Sequence, residues 1–307
     1  MSERPTYEVP AATPGATPNT QWLRVAPALF LLLWSGGFVF LKLGLRHADP
    51  LTFLALRYAC VVGLLIIPCL WIRPAFPSGI KPWLHLGMVG LLIQAGYFSF
   101  TYLSLKHGMS AGAVALVTSQ QPILIGLLAP AIAGERVDRV RWLGLALGVT
   151  GAAIVITSRS SIDVATPAGL MFALLALLAM TGGTLWEKRF GTTVHPVASN
   201  LVQYAVGLAI TAPLAYALEP MHVAWTPALF GSLAYLVIGN SIIAISLLLT
   251  MIRHGEASRV SALFFLVPPM TAVIAFAVLG ESIPLAAWPG MAMAAIGLYL
   301  VMGRRGG

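Results

Sequence analysis

The chain carries one pattern of residues twice, at an offset of 146 positions. The clearest frame is a Gly-Glu pair followed after six residues by Trp-x-Gly, at 134–144 and again at 280–290. The offset also holds upstream, where Gly36-Gly37 falls on Gly182-Gly183. Such repeats constrain the fold more than any local feature. Each copy contains five hydrophobic segments, so the second copy would enter a membrane from the side opposite to the first, as in inverted-repeat transporters.

The composition is that of a membrane protein. Of the 307 residues, 58% are hydrophobic and 9% are charged, whereas a soluble domain has about 25% charged residues. Apolar runs of about 20 residues without alternation predict helices that span the bilayer. We place ten of them near 25–45, 51–72, 82–104, 111–133, 139–158, 168–188, 197–218, 226–250, 257–279 and 284–303.

These observations predict an all-α integral membrane protein. Its ten transmembrane helices would form two five-helix inverted-topology repeats around a central cavity. The first repeat covers 23–158 and the second covers 165–304. Residues 1–22, rich in Pro, Thr and Ala, are predicted to be a disordered cytoplasmic tail.

Basic residues predict the orientation. In this topology 13 of the 18 Lys and Arg residues fall on the side of the N-terminus, so both termini are predicted to be cytoplasmic. The net charge of +8 therefore comes from basic residues in loops next to the lipid bilayer, and no nucleic-acid partner is predicted. We expect a multi-pass protein of a bacterial inner membrane. The sequence leaves monomer and homodimer open.

Polar side chains at the middle of predicted helices indicate a candidate cavity, because an amide that faces lipid is costly. Gln94 is central in the third helix, and its repeat counterpart Asn240 is near the centre of the eighth. The alternative is that such amides only bond helices together. The repeat-related positions favour the cavity, and the predicted substrate-binding residues are Trp34, Ser35, Phe38, Gln94, Tyr97, Phe98, Thr118, Gln120, Gln121, Trp186, Asn240, Phe264 and Phe265.

Two repeat-related prolines, Pro122 and Pro268, fall halfway along the fourth and ninth predicted helices. Proline removes one helical hydrogen bond and displaces the carbonyl four residues before it. The alternative to a hinge is a simple packing kink. The neighbouring pair Gln120-Gln121 favours hinges beside the cavity.

Charge is almost absent from the predicted membrane core. The ten acidic residues lie in the tail, in loops or at helix ends, so none has the midplane position of a proton relay. Arg57 lies about 9 Å into its helix by the rise per residue, close enough to reach the interface. We interpret it as structural, with attraction of an anionic group as the alternative.

No enzymatic activity, cofactor or metal is predicted. The sequence contains no H-E-x-x-H, and no acids are paired within a membrane helix. Cys60 and Cys69 share one apolar run and are interpreted as packing residues.

The sequence resembles the ten-helix EamA-type members of the drug/metabolite transporter superfamily. The resemblance covers about 25–303 and is carried by the segment 34–42 (WSGGFVFLK), by Pro50 followed by Leu-Arg-Tyr at 56–58, and by the two Gly-Glu frames. It is strongest to bacterial exporters of amino acids and related metabolites, and it implies an outward path through a central cavity. Small multidrug exporters of this superfamily carry an acid in the first helix, and the level of Trp34 has none. Cation-for-proton antiport is therefore less favoured.

The leading hypothesis is a secondary transporter that exports small metabolites, amino acids first, by alternating access of the two repeats. A neutral cavity lined by amides and aromatic rings suits a zwitterion. The alternatives are a multidrug or hydrophobic-cation exporter and a passive channel. The sequence does not determine the coupling ion, and the absence of a midplane acid favours transport without an obligatory proton.

Overall fold

The computed structural model describes residues 21–109, 114, 117–132, 134, 138–159, 166–191, 194–255, 257–280 and 283–302. Nearly all of the predicted tail lies outside these residues, as do Glu135 and Glu281 of the repeated Gly-Glu frames. The described chain is helical, apart from one isolated bridge between Ala48 and Val223.

The helices are labelled in chain order. The first five are α1 (Gln21–Gly44), α2 (Pro50–Ile72), α3 (Ile80–Lys106), α4 (Gln121–Ile132) and α5 (Arg139–Arg159). The next three are α6 (Pro167–Phe190), α7 (Pro196–Leu218) and α8 (Pro227–His254). Helix α9 joins Ala257–Ala262 to Val267–Leu279 through the 3-10 turn Leu263–Leu266, and α10 is Ala287–Met302.

Within the described residues, seven helices are long and apolar enough to cross a membrane, namely α1, α2, α3, α6, α7, α8 and α9. Helices α4 and α10 are apolar but shorter. Helix α5 has 21 residues, and two basic residues, Arg139 and Arg141, lie in its first turn. The protein is thus an all-helical, multi-pass membrane protein. The count of ten spans and their inverted arrangement stay predictions.

Proline and threonine determine where several helices begin. Pro50 and Pro196, which are 146 positions apart, occupy the first turn of α2 and α7. A backbone N–H in the first turn has no partner within the helix, so proline loses no helical hydrogen bond there. The Thr166 hydroxyl accepts a hydrogen bond from Gly169 N at the start of α6, and Thr226 does the same for Leu229 at the start of α8. These local signals place the helix starts that frame the interior.

The two sequence repeats pack on each other through symmetrically related pairs of helices. Helix α5 packs along α10 and α2 along α7, while α1 packs on α8 and α3 on α6. Glycine permits the last two contacts, because a Cβ at Gly37 would lie 2.6 Å from Asn240 Nδ2 and one at Gly183 would lie 2.5 Å from Ile93 Cγ1. The repeated Gly-Gly pair thus brings α8 against α1 and α3 against α6.

Small residues bring the backbones of α5 and α10 together. A Cβ at Gly144 would lie 2.7 Å from the Gly297 carbonyl oxygen, and a Cβ at Gly290 would lie 2.7 Å from that of Gly151. These glycines form a stripe of small residues along each helix. The stripe packs within the fold, as small residues allow in membrane helix pairs.

We expect Gly297→Leu to destabilise the protein strongly. Its Cβ would meet the Gly144 carbonyl and the Gly148 backbone, which cannot move aside as a flexible side chain can. Overpacking typically costs about 1–3 kcal/mol, which the melting temperature in detergent would report. Gly63→Leu on α2 is the control, since nothing lies within 4 Å of its Cβ and the melting temperature should not fall. Equal melting temperatures for the two variants would contradict close α5–α10 packing.

Candidate functional site

Two interior helices depart from α-helical geometry at repeat-related positions. Helix α3 is π-helical over Gly90–Phe98, and α8 is π-helical over Tyr235–Ala244. The two segments carry Gln94 and Asn240. Such segments are rare and often mark functional positions. They make the middle of α3 and α8 the first place to look for a site.

Arg57 of α2 lies in this interior, and the expectation that it reaches the membrane interface is wrong. Its side chain is 1% exposed. Nη2 donates to Asn240 Oδ1 at 2.6 Å and Nε donates to Ser241 Oγ at 2.7 Å, both on α8. The guanidinium carbon also lies 4.6 Å from the centre of the Phe98 ring, a favourable cation–π geometry.

Tyrosine side chains surround this arginine. Tyr58, Tyr102 and Tyr204, on α2, α3 and α7, are each fully buried. The Tyr58 hydroxyl donates to the Gln94 carbonyl oxygen at 2.7 Å, and the Tyr204 hydroxyl donates to the Ser241 carbonyl oxygen at 2.9 Å. These bonds satisfy backbone carbonyls in the π-helical segments and hold α2 and α7 against them.

An aromatic cluster centred on Trp34 of α1 lies next to the arginine. The centroids of the Phe30 and Phe264 rings are each 5.4 Å from that of Trp34, and those of Phe98 and Tyr97 are 6.0 Å and 6.2 Å away. Aromatic pairs at these separations attract one another beyond simple burial. The cluster joins α1, α3 and α9 at the level of Arg57.

Two small cavities flank the Trp34 indole. The first has a volume of about 20 Å³ and is lined by Trp34, Gly37, Phe38, Leu41, Arg57, Tyr97, Phe98, Thr101, Tyr102, Leu236 and Asn240. The second, also about 20 Å³, is lined by Trp34, Phe38, Tyr97, Thr118, Ser119, Phe264, Val267 and Pro268. Each has room for roughly one water molecule. Among the residues that the structure describes, the centre is therefore closed in this conformation.

Larger cavities lie toward the two ends of the bundle, which we call the near end, where α1 begins, and the far end, where α1 ends. The far cavity is about 210 Å³ and shares Phe38 and Thr101 with the arginine cavity. The near cavity is about 560 Å³ and includes Leu263, the neighbour of Phe264. The closed aromatic centre thus separates two open spaces.

The structure brings together several of the residues predicted to bind substrate. Seven of them line the central cavities, namely Trp34, Phe38, Tyr97, Phe98, Thr118, Asn240 and Phe264, and the predicted hinge Pro268 lines one of these cavities as well. Sequence reasoning omitted Arg57 from this set. The available signal was a lone charged residue inside an apolar helix.

Other predicted residues lie apart from these cavities. The Gln121 amide donates to Thr184 Oγ1 of α6 at 3.1 Å. Trp186 packs on His85 and Phe190, and Phe265 packs on Gly148 of α5. Gln120, half-buried, accepts a hydrogen bond from Ile123 N through its carbonyl oxygen.

Gln94 and Ser35 are fully buried, yet their side chains form no hydrogen bonds within the described residues. The Gln94 Cβ lies next to Gly207 of α7, so this amide sits on the α7 side of α3, away from the Trp34 cluster. The Ser35 carbonyl oxygen accepts from the Thr271 hydroxyl of α9 at 3.2 Å. Buried amides without partners are uncommon and costly.

The two predicted hinge prolines stand at helix starts. Pro122 is the second residue of α4, after a turn at Ser119 and Gln120, and Pro268 is the second residue of the segment that follows the 3-10 turn of α9. Proline is favoured at these positions. Each helix break therefore precedes its proline and adjoins the Trp34 cluster. The hinge role stays a prediction.

Comparison with known proteins gives one family. The sequence model of the EamA-like transporter family matches residues 25–157 and, a second time, residues 167–303. A Salmonella typhimurium protein named "Probable amino-acid metabolite efflux pump" is 27% identical over 285 residues, covering 89% of this chain and 92% of the relative. The Escherichia coli "Uncharacterized inner membrane transporter YedA" is 23% identical, covering 92% and 91%. A solved protein structure matches with a TM-score of 0.78 at 19% identity, covering 91% of this chain and 95% of that one, which supports the fold.

Proposed function

Because the chain belongs to the EamA-like transporter family, we propose that it is a secondary carrier that exports small metabolites, amino acids first, from the cytoplasm. In this proposal the two five-helix repeats have inverted topology and rock about the central site. The near end, where the basic residues concentrate, faces the cytoplasm. The names of both relatives support a membrane transporter, and the name of the Salmonella typhimurium protein suggests the substrate class.

The observation that carries this proposal is the closed centre between two open cavities. A passive channel needs a continuous path in its conducting state, whereas a carrier passes through a state closed to both sides. Here a centre with room for about one water molecule separates cavities of about 210 and 560 Å³. This arrangement favours a carrier in an occluded conformation.

Helix breaks give the centre a way to open. The breaks before Pro122 and Pro268 adjoin the cavity beside Trp34, and the π-helical segments of α3 and α8 line or support the other. Chain segments of this kind absorb changes in backbone angles at low cost. We propose that α4 and α9 bend at these breaks, so that Trp34 and Phe264 separate and admit the substrate.

The second candidate, a multidrug or hydrophobic-cation exporter, is favoured by the aromatic walls. Aromatic faces attract organic cations. Arg57 opposes it, because its positive charge lines the same cavity.

Counterflow into proteoliposomes tests the proposed function. Vesicles containing the purified protein and loaded with one unlabelled amino acid should take up the labelled form transiently above equilibrium, which only a saturable carrier produces. A panel of the common amino acids and of aromatic cations identifies the class. Uptake without counterflow would indicate a channel, and uptake restricted to the cations would replace the leading candidate. Accumulation that collapses with a protonophore would contradict transport without an obligatory proton.

A further inference from the structure

Arg57 is a buried cation without an anionic partner in the described part of the chain. Within the described residues, Nη2 and Nε donate to a neutral amide and a neutral hydroxyl, those of Asn240 and Ser241. The guanidinium has five N–H donors; Nε and Nη2 donate to α8, and the Tyr102 hydroxyl also lies beside the group. The arginine lines the cavity beside Trp34. Its charge and part of its donor capacity are thus available at the place proposed to receive substrate.

The described acidic residues are engaged elsewhere. Glu187 pairs with Arg253, and Glu219 pairs with Lys106 at 3.4 Å. Asp49 accepts from His222 N, and Asp138 accepts from Arg141 N. The remaining acids lie outside the described residues, and the sequence puts them in the tail and between helices.

A purely structural role accounts poorly for this arginine. Moving a cation out of water carries a penalty of several kcal/mol, and an apolar or neutral side chain of similar volume packs as well or better. The Phe98 ring, 4.6 Å from the guanidinium carbon, compensates only part of that penalty. A negatively charged ligand would compensate far more, and it would do so only when bound.

We infer that Arg57 is the carboxylate-binding residue of the transport site, and that the compounds carried by this protein bear a carboxylate. This inference rests on the proposed transport function. Nη1 and Nη2 donate hydrogen bonds to the two carboxylate oxygens side by side, a geometry that guanidinium groups favour. Asn240 and Ser241 hold the guanidinium in place from α8, and the rings of Trp34 and Phe98 contact the apolar part of the ligand.

The site is closed in this conformation, so carboxylate binding requires the cavity to widen. The ligand then links α2 and α3 of the first half to α8 of the second through one guanidinium. A substrate that binds this way stabilises the closed state, as a carrier requires for coupled movement of its two halves.

Matched ligands test the inference on the purified full-length protein. The first set is L-phenylalanine, its carboxamide, 2-phenylethylamine and 3-phenylpropionate; the second set is the leucine equivalents. Binding is followed by thermal shift in detergent, and transport by competition for counterflow. We expect each carboxylate to bind about 10- to 150-fold more tightly than its carboxamide, the ratio given by one hydrogen bond to a charged group. The amine should not compete.

Variants assign the preference to Arg57. In Arg57→Gln the ratio of acid to carboxamide affinity should fall toward one. Arg57→Lys keeps the positive charge but loses the two parallel N–H donors of the guanidinium, so it should retain part of the wild-type preference for the acid. Arg46→Gln, an exposed far-end residue, removes the same charge and should keep the wild-type ratio. If Arg57→Gln fails to fold, Arg57→Lys and the wild-type ratio still decide.

The outcomes separate this inference from the proposed function. Equal affinity for acid and carboxamide, or an undiminished ratio in Arg57→Gln, overturns the carboxylate site even where counterflow proves a carrier. Carboxylate binding lost in Arg57→Gln, without counterflow of any compound, supports the site and overturns the carrier. A wild-type protein that no carboxylate shifts or competes with overturns the inference.

Discussion

Asn240→Leu should lower the free energy of unfolding by about 1.5–3 kcal/mol, the typical contribution of a hydrogen bond to a charged group. The Asn240 side-chain oxygen accepts from Arg57 Nη2 at 2.6 Å, and leucine fills similar space without an acceptor. The arginine is 1% exposed, so water would not replace the lost bond in the closed conformation. The melting temperature in detergent and chemical unfolding would measure the loss.

A second substitution should restore stability without restoring transport. In Arg57→Met/Asn240→Leu both partners are apolar, and such replacement of a buried polar pair is often neutral or stabilising. The double-mutant cycle isolates the Arg57–Asn240 coupling from general packing effects. Transport should be lost in the double variant, because its stable core has no group to bind a carboxylate.

Asn200→Leu is the control for this cycle. Its amide donates to Ser246 Oγ at 2.5 Å, a bond between neutral groups, and its loss should cost about 0.5–1.5 kcal/mol with no coupling to Arg57→Met. If Asn240→Leu is as destabilising in the Arg57→Met background as in wild type, the amide acts through another contact, such as the 3.5 Å one to the Leu33 carbonyl oxygen.

The sequence predicted helix positions well because length and apolarity are local properties. The family resemblance is confirmed by the family match, and the prediction of an all-helical membrane transporter is confirmed with it. The Gly36-Gly37 pair recurs at Gly182-Gly183 in the sequence, and the structure gives the reason in the close approach of α8 and α3.

The level of a residue along its helix was predictable, but the direction in which its side chain points was not. Gln94 and Asn240 lie at the same level of repeat-related helices, yet Asn240 lines the cavity and Gln94 lies beside Gly207 of α7. Helix α2 is apolar on all sides, so its sequence did not show that Arg57 faces inward. The π-helical segments change the side-chain register further, and composition does not reveal them.

The same limit applies to Gln121, Trp186 and Phe265. Each was placed near the midplane by sequence position. In the structure Gln121 points at α6, Phe265 at α5 and Trp186 at His85 of α3. Helix–helix packing decides that direction, and single-sequence patterns carry it weakly when a helix is hydrophobic all round.

Glu219→Ala should be the most destabilising single substitution proposed, at about 3–5 kcal/mol, the usual result of breaking a buried charged interaction. At the far end, the Glu219 carboxylate accepts from Leu51 N at 2.9 Å and from Thr52 N at 2.8 Å. It also accepts from the Thr52 hydroxyl at 3.0 Å and from Lys106 Nζ at 3.4 Å. The carboxylate therefore caps the start of α2, which its own N-cap residue Asp49 does not cap by a side-chain bond.

This contact connects the far end to the transport site. Glu219 follows the last residue of α7 and binds the first turn of α2, so it fixes the position of α2 along its axis. Arg57 lies on α2 about two turns after that contact. Glu219→Gln keeps an oxygen acceptor but no charge, so it should lose less stability than Glu219→Ala. Removing the exposed partner, as in Lys106→Met, should cost no more than about 1 kcal/mol.

Melting temperatures of the three variants, with thermal shift by L-phenylalanine, separate the contributions. We expect Glu219→Ala to lose both stability and carboxylate binding, because α2 can then slide and displace Arg57 relative to Asn240. If Lys106→Met is as harmful as Glu219→Ala, the ion pair rather than the helix cap holds α2 in place. If Glu219→Ala binds the amino acid normally, the height of Arg57 is fixed by its own bonds to α8.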